Sequence, residues 1–181
     1  MSIVAETERL RLRRWQHGDK GKFHEHCNTD AVMAFLGGRQ TRKALAEDVD
    51  WFMACDEEFG HTLWVVERKS DDAFLGFCGI DHLRYGIPKH LRDEKEVGWR
   101  LREDAWGQGY ASESAPIVME IAFRIRRLKK VISRVASDNA ASIRIMEKIG
   151  LKRAPDLEKN MEGEFVYAAT REEWLGWMIN K

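Results

Sequence analysis

EVGWRLREDAWGQGYASES, residues 96–114, is the most informative segment of this chain. It begins as a strand, passes through the turn Gly107-Gln108-Gly109 and continues as a helix. Glycine lets the backbone adopt special dihedral angles and approach a ligand closely. The first turn of a helix carries unpaired N–H groups and the positive end of the helix dipole. The stretch therefore indicates an anion site for a phosphate or pyrophosphate, with a tight connection that binds nothing as the alternative.

Two common nucleotide-binding loops are excluded at this turn. The turn lacks the Gly-Lys-Ser/Thr of a P-loop NTPase, and it is too short for a GxGxxG dinucleotide fingerprint. It also lies past the midpoint of the chain rather than in a first βαβ unit. Neither of these nucleotide-binding interpretations therefore fits the turn.

A second strand-to-helix junction lies in DNAASIRIMEKIGL, residues 138–151. Asn139 and Ser142 are three residues apart and so share one helix face. Both can reach a ligand at the end of the preceding strand, and capping of the helix by Asn139 is the alternative. Gly150 suits the left-handed residue that ends a helix.

The rest of the pattern predicts a mixed α/β fold in one domain covering residues 1–181. Alternation and helical spacing predict strands at residues 10–15, 61–68, 74–83, 96–101, 131–137 and 165–169, and helices at about 19–59 in two or three pieces, 110–128, 139–149 and 172–179. The helix at 110–128 is expected to have an apolar stripe formed by Ile117, Val118, Ile121, Ala122 and Ile125. A loop with Gly86 and Pro88 follows the hairpin strands. Hairpins early and a crossover helix later are typical of a mixed sheet.

The composition limits the compartment and the cofactors that we expect. The N-terminus has no apolar signal-peptide core, and no run of residues reaches the length of a transmembrane helix. Cys27, Cys55 and Cys78 are odd in number and widely spaced, which is typical of free thiols in a cytoplasmic protein. His24 and His26 would point to different sides of a helix, so we assign no metal site. We expect a cytoplasmic protein without membrane contacts.

The charge balance gives no reason to expect a nucleic-acid partner. Thirty basic residues face 30 acidic ones. The basic run RIRRLKK, residues 124–130, suits the C-terminal end of a helix, where cations are favourable. We expect no nucleic acid among the partners.

Six segments in this order resemble the GNAT acetyltransferase superfamily, and more narrowly its branch of ribosomal-protein N-terminal alanine acetyltransferases. They are ETERLRLR, FLGFCGI, EVGWRL, AWGQGYASES, DNAASIRIMEKIGL and VYAATREEW. The resemblance implies a GNAT-like fold: a mostly antiparallel twisted sheet of about six to seven strands, flanked by helices. In that fold the strands matching EVGWRL and VISRVAS splay apart, and the pantetheine arm of acetyl-CoA lies in the gap.

The resemblance also assigns a cofactor site for acetyl-CoA, the implied cosubstrate. Backbone N–H groups of the turn would surround the pyrophosphate at Trp106, Gly107, Gln108, Gly109, Tyr110 and Ala111. Leu101 would supply backbone contacts to the arm, and Asn139 a side-chain contact. Glycine inside a strand favours a bulge, so Gly98 is expected to help open the cleft.

Two catalytic residues are expected for direct attack by an amine on the thioester. Glu96 is the candidate general base, directly or through a water, and a structural ion pair with Arg or Lys is the alternative. Glu113 is a second candidate with a structural role favoured. Relatives often protonate the departing thiolate with a tyrosine, whose place here holds Met146, which has no proton to donate. Ser142 is the expected substitute. Backbone N–H groups near residues 99–101 would hold the oxyanion.

The acceptor is an amine that the sequence leaves open. At pH 7 about 14% of an α-amine with a pKa near 7.8 is neutral, against about 0.04% of a lysine. This difference slightly favours a protein or peptide α-amine over a small amine such as an antibiotic, polyamine or amino acid. A non-catalytic acyl-CoA-binding module is a third alternative. The loops at residues 35–42 and 83–94 would select the acceptor, and the second, long and charged, is also compatible with a homodimer contact.

Overall fold

The computed structural model describes residues 2–83 and 87–181. Their centre is an eight-stranded sheet in the order β1-β2-β3-β4-β5-β6-β8-β7. The strands are β1 Ile3–Glu6, β2 Leu10–Arg13, β3 Leu63–Arg68, β4 Ala73–His82, β5 Lys95–Leu101, β6 Lys130–Ala136, β7 Lys152–Arg153 and β8 Glu164–Thr170. The mixed α/β class is confirmed, and the sheet has one or two strands more than expected. The predicted turn around Gly86 lies outside the described residues.

Six α-helices flank the sheet within the described ranges. They are α1 Asp19–His26, α2 Asp30–Met33, α3 Arg42–Phe59, α4 Tyr110–Glu120, α5 Ala140–Lys148 and α6 Arg171–Ile179. Helices α4, α5 and α6 contribute to a core on one face with Val97 and Leu101 of β5. Helices α1 and α3 pack on the other face around Phe23, Phe52 and Phe77. The sheet is thus covered on both sides, as its long apolar strands require.

Strands β5 and β6 diverge, as the resemblance implied. Every other neighbouring pair in the sheet is antiparallel, whereas β5 and β6 are parallel and share one paired position, Glu96 with Ile132. The Ser133 hydroxyl adds a hydrogen bond of 2.7 Å to the Val97 carbonyl. Because these contacts lie near the start of both strands, the gap opens toward their C-terminal ends, where α4 and α5 begin.

The prediction of a β-bulge at Gly98 is wrong. The β4–β5 ladder pairs Gly79 with Gly98 without a register shift. The irregularity lies instead between β3 and β4, next to Gly76. A Cβ at Gly76 would lie 2.0 Å from the Arg100 carbonyl oxygen, whereas one at Gly98 would meet only a Leu63 methyl group at 3.8 Å. The gap therefore comes from the short β5–β6 pairing and not from a distorted β5.

The apolar stripe predicted for the helix at residues 110–128, which contains α4, is correct except at its end. Val118, Ile121 and Ala122 are buried, but Ile125 is 67% exposed. The helix widens into a π-helical turn at Ile121–Ile125. A π-turn has more residues per turn than an α-helix, so it rotates the following side chains away from the predicted face.

All three cysteines are buried, and none forms a disulfide in the described structure. Burial raises the pKa of the Cys27 and Cys78 thiols to about 12, so both are neutral at physiological pH. In the described part of the chain, no helix combines the length and apolar character needed to cross a membrane.

Candidate active site

The turn before α4 presents free backbone donors to solvent. Gly107 and Gly109 have positive φ angles of 72° and 81°, which glycine adopts without strain. Gly109 is the N-cap of α4, and no side chain caps this helix. By contrast, four other helices begin with a capping side chain, on Thr29, Thr41, Asn139 and Thr170. The first N–H groups of α4 are therefore available to an anion at the mouth of the β5–β6 gap.

Side-chain hydrogen bonds hold this turn, and they leave the space beside Gly107 open. The Gln108 side chain donates to the Asp104 carbonyl at 2.7 Å. Arg9 donates to the Gln108 carbonyl at 3.0 Å. An added Cβ at Gly107 would have no protein atom within 4 Å. We call this turn, residues 107–109, the cradle: side-chain hydrogen bonds hold it, and the space beside Gly107 is open.

Glu113 fixes α4 to the N-terminal segment. Its carboxylate accepts hydrogen bonds from the Thr7 hydroxyl at 2.5 Å, the Arg9 backbone N–H at 2.9 Å and the Arg9 side chain at 2.7 Å. Partial burial raises its pKa, but the hydrogen bonds from Thr7 and Arg9 outweigh burial and hold the pKa of Glu113 below its usual value. These contacts assign Glu113 the structural role that the sequence favoured.

The remaining residues of the expected pyrophosphate set lie around the same turn. The Trp106 ring is 48% exposed, and its indole N–H donates to the Leu101 carbonyl at 2.9 Å. Tyr110 is buried with the Arg9 guanidinium 4.6 Å from its ring centroid, and Ala111 is half-buried. Leu101 is expected to supply backbone contacts to the pantetheine arm. Its carbonyl already accepts the hydrogen bond from Trp106, and a carbonyl oxygen can accept a second one.

Glu96 is held in a close ion pair with Arg134 across the start of the gap. Its carboxylate accepts from the Arg134 backbone N–H at 2.8 Å, from Nε at 3.2 Å and from Nη2 at 3.0 Å. The Glu96 side chain keeps 13% of its surface exposed. A carboxylate has about four lone-pair positions, so these donors leave limited room for an incoming proton. The alternative interpretation of Glu96 as an ion-pair partner is thus realised in the structure.

Asn139 and Ser142 meet at the start of α5. The Asn139 side-chain oxygen accepts from the Ser142 backbone N–H at 3.1 Å, which is a helix N-cap. Capping uses the oxygen of this amide and leaves its NH₂ group without a protein partner in the described ranges. The Ser142 hydroxyl is half-buried. Met146, at the place of the family tyrosine, is 2% exposed and part of the core.

Arg100 is a feature that the sequence reasoning missed. It follows Gly98 by two positions on β5, so its side chain projects from the same face as Glu96, toward α1 and α3. Its Nε and Nη1 atoms are buried and have no hydrogen-bond partner among the described residues. Strand alternation in EVGWRL places Arg100 on the face opposite Val97, but it does not show whether an acid lies nearby.

The first of the two expected acceptor loops is ordered by Asn28. The Asn28 side chain accepts from the Gln40 N–H and donates to the Gln40 carbonyl, both at 2.9 Å. Phe35 and Leu36 in this loop are 47% and 45% exposed. The second loop includes residues 84–86, which lie outside the described part of the chain.

Comparisons with known proteins bear on the family and the fold of this chain. A family model for the acetyltransferase (GNAT) domain matches residues 9–152. The FsC-acetyl coenzyme A-N(2)-transacetylase of Aspergillus fumigatus is 38% identical over 139 residues, which make up 69% of this chain and 57% of that protein.

Solved structures share the fold. An acetyltransferase from Agrobacterium tumefaciens has a TM-score of 0.81 and 27% identity, covering 93% of this chain and 95% of that one. A ribosomal L7/L12 α-N-protein acetyltransferase in complex with coenzyme A has a TM-score of 0.74 and 14% identity, covering 93% and 98% of the two chains. At that identity the second likeness is one of fold.

Proposed function

Because the chain belongs to the acetyltransferase (GNAT) domain family and is an N-acetyltransferase of that family, we propose that it transfers the acetyl group of acetyl-CoA to a primary amine by direct attack. The acceptor that we favour is a protein or peptide α-amine. The observation that supports this most is the uncapped start of α4 at the mouth of the gap between β5 and β6.

The residues present fit coenzyme A. Backbone N–H groups from Gly107 to Ala111 would bind the pyrophosphate, and Gly107 leaves space for it. The edge of β5 from Gly98 to Leu101 has no ladder partner on β6, so its backbone can pair with the amides of the pantetheine arm. The Asn139 NH₂ group stands at the opposite wall, at the start of α5, and can donate to the same arm. When bound, acetyl-CoA supplies an activated thioester carbonyl.

Two side chains and a set of backbone N–H groups would handle protons and charge at the reacting atoms. The amine nitrogen forms the new C–N bond, the C–S bond breaks, and the amine proton leaves through Glu96 or a water that Glu96 orders. Backbone N–H groups near Trp99 would stabilise the oxyanion. The Ser142 hydroxyl would hydrogen-bond the departing sulfur, because the buried Met146 has no proton to offer.

The ion pair of Glu96 supports an acceptor that needs little help from a base. About 14% of an α-amine is neutral at pH 7, so a carboxylate that also holds Arg134 has little deprotonation to perform. A lysine acceptor would need a stronger base than this geometry offers. This argument favours α-amines over lysine side chains, whether the α-amine belongs to a protein, a peptide or an amino acid.

A small-molecule amine is the second candidate. One observation favours it: the relative from Aspergillus fumigatus is named as a transacetylase acting at an N(2) position. Its resemblance covers 69% of this chain. The two candidates differ in what the loop at residues 35–42 must accommodate.

An acceptor screen tests the proposal. Release of free coenzyme A thiol would be followed with acetyl-CoA and three amine classes: peptides with free N-termini, peptides blocked at the N-terminus but containing lysine, and small amines. We expect transfer to free N-termini to exceed transfer to blocked lysine peptides. Faster transfer to blocked lysine peptides would contradict the α-amine assignment, and no heat of binding with coenzyme A would contradict the cofactor site itself.

A further inference from the structure

Arg100 is half-buried, and two of its guanidinium nitrogens are shielded from solvent without the partner that a buried cation normally has. Its guanidinium carbon lies 5.4 Å from the ring centroid of Phe23 and 5.3 Å from that of Phe77. Nε and Nη1 are shielded from solvent and donate to no described residue. Burial lowers the pKa of Arg100 below its ordinary value. Leaving a charged donor in an apolar place is expensive for a fold, so such a group points to a ligand that completes it.

Other arginines of this chain are paired where they are removed from solvent. Arg13 is 2% exposed and donates to Asp19 and Glu67, both at 2.7 Å. Arg134 is paired with Glu96. The fold therefore supplies carboxylates for shielded guanidinium groups at two sites and supplies none within ion-pair distance of Arg100 among the described residues.

The charged and titratable groups around Arg100 do not replace the missing partner. The charge of Asp48 on α3 acts on Arg100 from a distance, without a hydrogen bond or ion pair between the two in the described structure. Cys27, at the end of α1, also faces it, but burial raises the pKa of that thiol to about 12, so it carries no charge. Phe23 and Phe77 offer ring faces and no lone pairs.

The position of Arg100 places it beside the path of the acceptor. Gly98 is two residues away on β5, roughly 7 Å along the strand. The helix that carries the anion cradle, α4, packs on the opposite face of the sheet. An amine that approaches the gap from the α1–α3 face would pass the row formed by Glu96, Gly98 and Arg100.

We propose that Arg100 binds a carboxylate of the acceptor, so that the substrate is an amine with a carboxylate in the same molecule, such as a peptide with an acidic residue near its N-terminus. This inference rests on the proposed function and narrows its acceptor. The planar fork of a guanidinium matches the two oxygens of a carboxylate. Because Nε and Nη1 are shielded from solvent, this contact requires the Arg100 side chain to turn toward the incoming carboxylate beside Phe23 and Phe77.

Matched peptides test this binding role without changing the reacting amine. Ala-Glu amide and Ala-Gln amide have nearly the same α-amine but differ in one carboxylate, and an Ala-phosphoserine amide provides a second oxyanion. The kcat/KM for each would be measured by thiol release for the wild type, Arg100→Met, Arg100→Lys and the exposed control Arg124→Met. The wild type should prefer Ala-Glu amide by about 10-fold or more, since hydrogen bonds to charged groups have that strength.

The variants separate a specific contact from a general loss of structure. Arg100→Met should reduce the preference to about threefold or less while leaving Ala-Gln amide within about threefold of the wild type. Arg100→Lys should retain part of the preference, and Arg124→Met all of it. A preference that persists in Arg100→Met, or a wild type that does not discriminate, overturns the inference. A stronger preference for the phosphopeptide would replace the carboxylate with a phosphate and overturn the stated class.

A measurement that needs no turnover distinguishes failure of this inference from failure of the proposed function. The ¹⁵Nε signal of Arg100, assigned by its loss in Arg100→Met, would be followed while Ala-Glu amide or Ala-Gln amide is added to the protein with coenzyme A. A saturable shift with the first peptide alone supports the anion site even if no acetyl transfer occurs. Absence of a shift in a protein that does acetylate peptides refutes the site and leaves the proposed function standing.

Discussion

Replacing Gly107 with alanine tests whether the turn before α4 is a pyrophosphate cradle. Gly107 has a φ of 72°, and an added Cβ would meet no protein atom within 4 Å. In the absence of ligand, the change therefore costs only the strain of a left-handed alanine, about 1 kcal/mol. In a protein of this size that corresponds to a fall in Tm of about 2–4 °C.

Gly37 provides a matched control for the same strain. Its φ is 81°, and an added Cβ there also has nothing within 4 Å, but it lies in the loop after α2. Gly37→Ala should lose about as much stability as Gly107→Ala, since both changes place alanine in the left-handed region. The two variants then differ only in what the new methyl group meets when coenzyme A is present.

Calorimetry with coenzyme A gives the decisive comparison. A methyl group in the cradle pushes the pyrophosphate away from at least one N–H donor, and a hydrogen bond to a charged group contributes about 1.5–3 kcal/mol. We therefore expect Gly107→Ala to bind coenzyme A about 10- to 100-fold more weakly and Gly37→Ala to bind it like the wild type. Equal affinities in both variants would show that the pyrophosphate does not lie against this turn.

Three further changes test the catalytic and structural assignments. Glu96→Gln should lower kcat by about 10²-fold or more with coenzyme A affinity unchanged if Glu96 takes the proton, and a rate that matches the wild type from pH 6 to 9 would remove it as the base. Ser142→Ala should lower kcat by more than about threefold without changing coenzyme A affinity, and a smaller loss would leave Ser142 with a packing role. The folded pKa of Glu113 lies below its unfolded value of 4.5, so its ionised form stabilises the fold above pH 4.5, and this contribution is lost as the pH falls further. Thermal melts of Glu113→Gln should therefore show about 1 kcal/mol less stability near neutral pH and a flatter decline below pH 4.5 than the wild type, and parallel declines would contradict this linkage.

Local sequence signals predicted the elements that carry the proposed cofactor site. The turn at Gly107 and Gly109 and the cap at Asn139 depend on neighbours within four residues, and both are present where the sequence places them. Strand β7 was missed because two residues, Lys152 and Arg153, are too short to show alternation.

Features that depend on distant contacts could not be predicted. Arg134, 38 residues along the chain from Glu96, forms the ion pair that limits this carboxylate as a base. The exposure of Ile125 follows from a π-turn, which the helical period alone does not reveal. Similarly, Arg100 has no ion-pair partner among the described residues. The sequence of β5 alone does not show which side chains from other elements lie near it.

Strands β5 and β6 share a single ladder position, so only this pairing and a few side-chain hydrogen bonds join the two blocks of the sheet. A cofactor that pairs with the β5 edge and contacts α5 would act as an additional strand between the two blocks. Binding energy would then be shared between holding the cosubstrate and stiffening the protein. The β5 amide protons that face the gap should accordingly exchange with solvent faster in the enzyme without acetyl-CoA than in the enzyme with acetyl-CoA bound. The rigidity of the sheet would then depend on the concentration of acetyl-CoA.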